Sequence, residues 1–86
     1  HLKQVSWIDM MHTALKRYKE NQDIQMVIKT TVILADALPH DGYMNLQAAR
    51  VLDKRQRDVE ALYYYQRAQR AGGMNLEKHI ARLSEK

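Results

Sequence analysis

A basic run in the second half of the chain is the strongest candidate for binding a charged partner. Arg50, Lys54, Arg55 and Arg57 follow one another closely, with Asp53 as the one acidic residue among them. On a continuous helix Arg50, Lys54 and Arg57 would share a face, and such cations bind phosphates and carboxylates. The residues leave three interpretations open: a solvated charged face, a groove for an acidic peptide, and a site for nucleic-acid phosphates. The run lacks the glycine of many DNA-reading helix-turn-helix motifs, which does not favour nucleic acid.

Other groupings of reactive side chains are too incomplete for catalysis or metal binding. Asp9 and His12 lie one helical turn apart, but no third metal ligand is near them in sequence. Tyr63, Tyr64 and Tyr65 would point about 100° apart around a helix, so their rings cannot form one stacking surface for bases. We expect Tyr65 in the core and one of the other two against a neighbouring element. The chain has no Cys, Gly-rich phosphate loop or nucleophile elbow, so we expect no enzyme, no metal site and no cofactor.

The composition bounds the fold to one small helical domain. The 86 residues are 45% hydrophobic and 28% charged, with one Pro, three Gly and no Phe, and the net charge is +4. This balance is typical of a soluble globular chain, and the mild basic excess attracts acidic partners. No apolar run approaches the roughly 20 residues of a membrane span, and no signal peptide opens the chain. The compartment is not identified. Because the first residue is His1, we interpret residues 1–5 as a disordered or tag-derived start and the whole as an excised segment.

Five helices are predicted from the apolar spacing and from residues that begin and end helices. The first helix is expected to begin at Ser6, which forms a capping box with an acid three residues later. The other helices are expected to begin at Asp23, Asp41, Asp58 and Asn75. The side chains of all these residues can accept hydrogen bonds from free helix N–H groups. The expected breaks lie at residues 20–23, at Pro39, at residues 55–57 and at Gly72-Gly73.

The second of these helices has a sequence that also suits a β-strand. Residues 26–34 are rich in Val, Ile and Thr, which favour strands. Apolar and small residues nevertheless keep helical spacing over four turns from Ile24 to Leu38. We therefore predict a helix that is buried on more than one side and that ends before Pro39.

The chain matches itself when it is shifted by 34 residues. At that offset Ala14 meets Ala48, and the break at Pro39 falls on Gly73. The other apolar or small pairs are Leu15 with Ala49, Tyr18 with Leu52, Val27 with Ala61, Ile28 with Leu62, Leu34 with Ala68 and Ala37 with Ala71. A period of about 34 residues is typical of helix–turn–helix repeats, which stack into solenoids and present a surface to other proteins.

The second hairpin resembles a tetratricopeptide repeat. Small and large residues stand at the spacing of that family at Ala48, Ala49, Leu52, Ala61, Tyr65 and Ala68. The first hairpin is a weaker match, because Val27 and Thr31 stand where the family prefers alanine and an aromatic residue, although Pro39 lies where the family ends a repeat. The resemblance implies an all-α fold in which antiparallel hairpins, about 8–41 and 42–73 within residues 6–73, stack as a short right-handed solenoid. Residues 74–86 would form a C-terminal capping helix.

The resemblance also implies a function and the residues that perform it. In the family, the first helix of each hairpin lines a concave groove that docks a peptide or a partner helix. Carried over, the partner-binding residues are His12, Lys16, Lys19, Tyr43, Leu46, Arg50 and Lys54. We therefore expect a protein–protein interaction module, a scaffold or adaptor within a larger protein, whose basic and partly apolar groove suits an acidic partner. The alternatives are a small basic nucleic-acid-binding domain and a structural segment that associates with itself.

Overall fold

The computed structural model describes the backbone of residues 2–85 and the side chains of residues 7–85. Five helices follow one another: α1 (Leu2–Glu20), α2 (Ile24–Ala37), α3 (Gly42–Lys54), α4 (Asp58–Gly72) and α5 (Glu77–Ser84). Residues 2–85 contain no strand, so the prediction of an all-α fold with five helices is confirmed, including a helix through residues 26–34. Within the described residues, no helix combines the length and the apolar character needed to cross a membrane.

The first helix begins earlier than the capping-box pattern predicts. Its backbone is helical from Leu2 rather than from Ser6. No Gly or Pro interrupts residues 2–6, and nothing in their covalent structure forces the helix to stop there. Residue 1 lies outside the described residues.

Two of the predicted N-caps are present, and two are displaced by one residue. Asp23 accepts a hydrogen bond from the backbone N–H of Met26, and Asp41 does the same for Met44. Asp58, by contrast, is the first residue of α4 and follows a cap formed by the backbone of Arg57. In this position its carboxylate lies at the positive end of the helix dipole, where negative charge is stabilising.

The cap of α5 is displaced by one residue, and α4 ends at the predicted glycines. Leu76 takes the cap position of α5, whereas Asn75 accepts a hydrogen bond from the N–H of Glu77 at 3.1 Å. Gly73 ends α4 in the left-handed conformation, with φ +66°, which glycine adopts without a steric penalty. Leu76 and Leu83 are buried and fasten α5 to the rest of the domain.

The two interhelical turns within the hairpins have the same backbone conformation 34 residues apart. Gln22 and Gln56 both adopt a left-handed conformation, at φ +56° and +60°. In the first turn the N–H of Asp23 donates to the carbonyl of Tyr18 at 2.9 Å, and in the second the N–H of Arg57 donates to the carbonyl of Leu52 at 3.0 Å. The internal match of the sequence therefore corresponds to a repeated local structure.

The helices pack in chain order, and the pair α3–α4 shares the most extensive interface. Five small or medium side chains of α3 and α4 have no exposed surface: Ala48, Ala49, Leu52, Ala61 and Ala68. Each of the helices between residues 2 and 85 contacts the one before or after it along the chain, which gives a flat body of 41 × 28 × 15 Å. Between residues 7 and 20 of α1, Leu15 alone is buried, and Trp7 remains 46% exposed.

The backbones of α3 and α4 lie close together where α3 begins and α4 ends. A methyl group added to Gly42 would lie 2.7 Å from the Cα of Gly72. Carbon atoms in ordinary contact stand about 3.5–4.0 Å apart. Glycine is therefore required at this crossing because a larger residue would not fit, and not because of its backbone conformation.

Candidate interaction groove

A cleft of about 240 Å³ lies between α1 and α3, with α2 beneath it. We call it the basic cleft. Its walls are formed by His12, Lys16 and Lys19 of α1 and by Tyr43 and Gln47 of α3, and its floor is formed by Leu15, Thr31, Met44 and Val51. The lining residues of α1 recur at steps of four and three, so they share one helix face. Tyr43 and Gln47 are four residues apart and form the facing wall, and Val51, four residues further on, continues their helix face into the floor.

The electrostatics of the basic cleft favour an anion. No lining residue is acidic, and within residues 7–85 Lys16 and Lys19 make no ion pair. Both lysines are exposed, as is Tyr43, of which 66% is accessible. The cleft therefore combines free positive charge with an aromatic surface and the amide of Gln47, which can hydrogen-bond a peptide backbone.

A second cleft of about 400 Å³ adjoins the first. We call it the apolar cleft. It is lined by Ile24, Val27 and Ile28 of α2, by Val51 and Lys54 of α3, and by Arg55, which follows the end of α3. Val51 lines both clefts, so the two adjoin at this side chain. Val27 and Ile28 are buried at its base, while Ile24 is 43% exposed at its edge.

The structure gathers some of the predicted partner-binding residues and separates others. His12, Lys16, Lys19 and Tyr43 line the basic cleft, and Lys54 lines the apolar cleft. The remaining two predicted residues, Leu46 and Arg50, line neither.

The helical geometry of α3 explains this separation. At about 100° per residue, Leu46 and Arg50 are rotated about 100° and 60° from the direction of Gln47. Leu46 packs against the core, and Arg50 is exposed. Gln47 and Val51 were missed by the sequence argument, although their four-residue steps from Tyr43 carry the signal.

A buried polar network holds the two hairpins in their relative position. Asn45 is fully buried, and its Nδ2 donates to the carbonyl of Asp41 at 2.8 Å, with longer bonds to Leu38 and Pro39. Its Oδ1 accepts a hydrogen bond from Nε of Arg67 at 2.5 Å. The network thus joins the loop between the hairpins to α3 and α4.

Arg67 extends this network to the end of α2. Its guanidinium donates to Asp36 at 2.9 Å and lies over the rings of Tyr63 and Tyr64. The hydroxyl of Tyr64 also donates to Asp36, at 2.7 Å. Burial and this hydrogen bond raise the pKa of Tyr64 to about 12, so the phenol is un-ionised near neutral pH. As expected, Tyr65 lies in the core and Tyr64 packs against a neighbouring helix, while Tyr63 is half exposed.

A second cluster fastens α5 to α3 and α4. Arg82 makes two hydrogen bonds to the carboxylate of Asp53, at 2.7 and 3.2 Å, and Tyr65 donates to the same carboxylate at 2.9 Å. The ring of His79 stacks on Tyr65 with centroids 4.7 Å apart. The hydrogen bond from Arg82 lowers the pKa of Asp53 below its ordinary value, although burial acts in the opposite direction. Burial raises the pKa of Tyr65 to about 12, and the bond to Asp53 acts in the same sense.

Residues 7–85 contain no group of three or more side chains placed to hold a metal ion. Comparison with known proteins found no matching family model, no matching curated protein and no matching solved structure.

Proposed function

We propose that this chain is a protein–protein interaction module whose groove between α1 and α3 docks an acidic peptide. The observation that carries the proposal is the basic cleft, in which Lys16, Lys19 and His12 face Tyr43 with no carboxylate in the lining. A partner that brings carboxylates would gain charge-assisted hydrogen bonds from the lysines. The ring of Tyr43 would supply apolar contact area beside them.

The repeated local structure supports a tetratricopeptide-like interpretation of the domain. Gln22 and Gln56 occupy equivalent left-handed turns, and α3 and α4 each carry alanines without exposed surface. In our proposal the two hairpins form a short right-handed solenoid. Its first helices, α1 and α3, line the concave side, where such folds bind their partners. The role would then be that of a scaffold or adaptor.

The geometry of the basic cleft suits docking better than chemistry. The cleft is open, and its two lysines are exposed. A reaction would need a nucleophile or an acid–base pair held in a water-excluding site. Recognition of a peptide needs only free charge, an aromatic surface and hydrogen-bonding groups.

Charge reversal in the basic cleft tests the proposal. The probe is a fluorescein-labelled ten-residue Gly/Ser peptide with four glutamates, measured by fluorescence anisotropy against the same peptide with four lysines. Lys16→Glu with Lys19→Glu should weaken binding of the acidic peptide by at least about tenfold, because two attractions become repulsions of up to about 1 kcal/mol each. Both lysines are exposed, so the fold should persist.

The matched control is Lys29→Glu with Lys78→Glu, which changes the net charge equally at exposed positions outside both clefts. Equal loss in the control would mean that net charge alone attracts the peptide and would overturn the proposal. Retardation of random double-stranded DNA at about 150 mM salt provides the other test. If Arg50→Ala with Lys54→Ala abolished it and the reversal of Lys16 and Lys19 did not, a phosphate-binding function would replace the one proposed.

A further inference from the structure

We infer that the apolar cleft is a second subsite for the same peptide and takes one bulky apolar side chain. The ligand class is then an extended peptide with carboxylates about three residues from an aliphatic or aromatic residue. This inference rests on the proposed function, because it assumes that an acidic segment occupies the basic cleft. It adds a second requirement, a bulky apolar side chain, by which the protein would select among acidic peptides.

The lining of the apolar cleft supports an aliphatic or aromatic occupant. Ile24, Val27, Ile28 and Val51 supply its surface, and none of these side chains can donate or accept a hydrogen bond. A peptide side chain that enters the cleft gains by removing its own apolar surface and that of Ile24 from water. The volume of about 400 Å³ accommodates a side chain of the size of leucine or phenylalanine.

Charge indicates which kind of partner brings that side chain. Lys54 and Arg55 border the apolar cleft, and Lys16 and Lys19 line the adjoining one, so cations run along the whole groove. A second copy of the chain would bring a net charge of +4 and the same cationic groove, and like charges oppose such pairing. A peptide with carboxylates meets the opposite field, which favours it over self-association.

The spacing of the two subsites follows from α3, which lines both. The basic cleft uses residues 43–51 of this helix, and the apolar cleft uses residues 51–55, the last of which directly follows the end of the helix. The midpoints of these ranges, 47 and 53, differ by six residues, or about 9 Å at 1.5 Å per residue. An extended peptide rises about 3.3 Å per residue, so about three residues separate the two contacts.

A register series tests the spacing without changing the protein. The probes are labelled ten-residue Gly/Ser peptides with an Asp-Glu pair and one leucine placed one, three or six positions from the pair, on either side. The reference peptide carries serine in place of the leucine. Leucine at three positions, on one side of the pair, should bind at least about tenfold more tightly than serine, which corresponds to about 1.4 kcal/mol.

A pair of variants then assigns the gain to the apolar cleft. Ile24→Ser should reduce the advantage of leucine over serine to less than about threefold, since Ile24 lines the cleft. Ile33→Ser is the matched control: Ile33 lies in the same helix, has a similar exposure of 36% against 43%, and lines neither cleft. The Ile33→Ser variant should keep the full advantage of the leucine peptide over the serine peptide.

The outcomes separate this inference from the proposed function. If acidic peptides bind but leucine gives no gain at any register, or if Ile33→Ser loses the gain as Ile24→Ser does, the second subsite is refuted and the acidic groove stands. If no acidic peptide binds, both are refuted. Sedimentation that shows dimers dissociated by Ile24→Ser would assign the apolar cleft to a second copy and overturn the inference.

Discussion

Replacing Gly42 with alanine tests a close backbone contact between α3 and α4. The added methyl carbon would lie 2.7 Å from the Cα of Gly72, 3.1 Å from its nitrogen and 3.2 Å from Cε of Met74. The methionine end can rotate away, but the backbone of α4 cannot. To reach an ordinary carbon–carbon distance of about 3.5 Å, the ends of α3 and α4 must separate by about 0.8 Å.

The expected cost follows from two opposing effects. Overpacking of a close contact costs about 1–3 kcal/mol, whereas alanine in place of glycine in a helix gains at most about 0.5–1 kcal/mol. That gain is incomplete here, because Gly42 is the first residue of α3. We therefore expect Gly42→Ala to lower the free energy of unfolding by about 1–2 kcal/mol, which lowers the melting temperature by about 5–15 °C in a domain of this size.

The assay is urea and thermal denaturation followed by far-UV circular dichroism, with Gly72→Ala as the matched variant. There the new methyl group would meet the flexible end of Met74 at 2.7 Å, but the Cα of Gly42 only at 3.3 Å. Gly72→Ala should therefore cost less than about 1 kcal/mol. A Gly42→Ala protein as stable as the wild type, or less affected than Gly72→Ala, would refute the close approach of the two helices.

Three further predictions concern the packing and the polar clusters. Ala61→Leu should overpack the core around Ala61, which has no exposed surface, and cost about 1–3 kcal/mol in urea denaturation; an unchanged midpoint would contradict that packing. Arg67→Met leaves the buried Asn45 oxygen without its donor and should cost about 1–3 kcal/mol, whereas the exposed Arg70→Met should stay within about 0.5 kcal/mol. Arg82 lowers the pKa of Asp53 in the folded state. The carboxylate therefore contributes its full stabilisation at any pH above its unfolded-state pKa of about 3.9, and this contribution is lost as the pH falls through the lower folded-state pKa. The free energy of unfolding of the Arg82→Gln variant should therefore be lower than that of the wild type, and this difference should shrink below about pH 4. A difference that does not change with pH would exclude this linkage.

The helical class and most helix boundaries could be predicted from the sequence because they depend on local chemistry. Asp23 and Asp41 cap the helices that follow them, and Gly73 ends α4. The Val- and Ile-rich segment from Ile24 is helical, since its apolar spacing outweighs the weak strand preference of its residues. The start of α1 could not be predicted as well, because a plausible cap at Ser6 does not require the helix to begin there.

The candidate groove could be predicted only in outline. A 34-residue period, read along the chain, pairs the faces of α1 and α3, and so it points to Lys16, Lys19 and Tyr43. Which neighbouring residues of α3 line the clefts depends on the rotation of that helix about its axis. This rotation depends on how Ala48 and Leu52 pack against α4, and side-chain spacing along one helix does not specify it.

The sequence by itself determined five helices, their turns and the positive charge of the groove, because caps, glycines and periodicity act over a few residues. Only the tertiary structure decided that Arg67 reaches Asn45 and Asp36, and that Arg82 reaches Asp53. These contacts join residues 22 to 31 positions apart. Their formation depends on the distances and angles between packed helices, which no local pattern records. For the same reason the apolar cleft beside Val51 exists only where α2 and α3 come together.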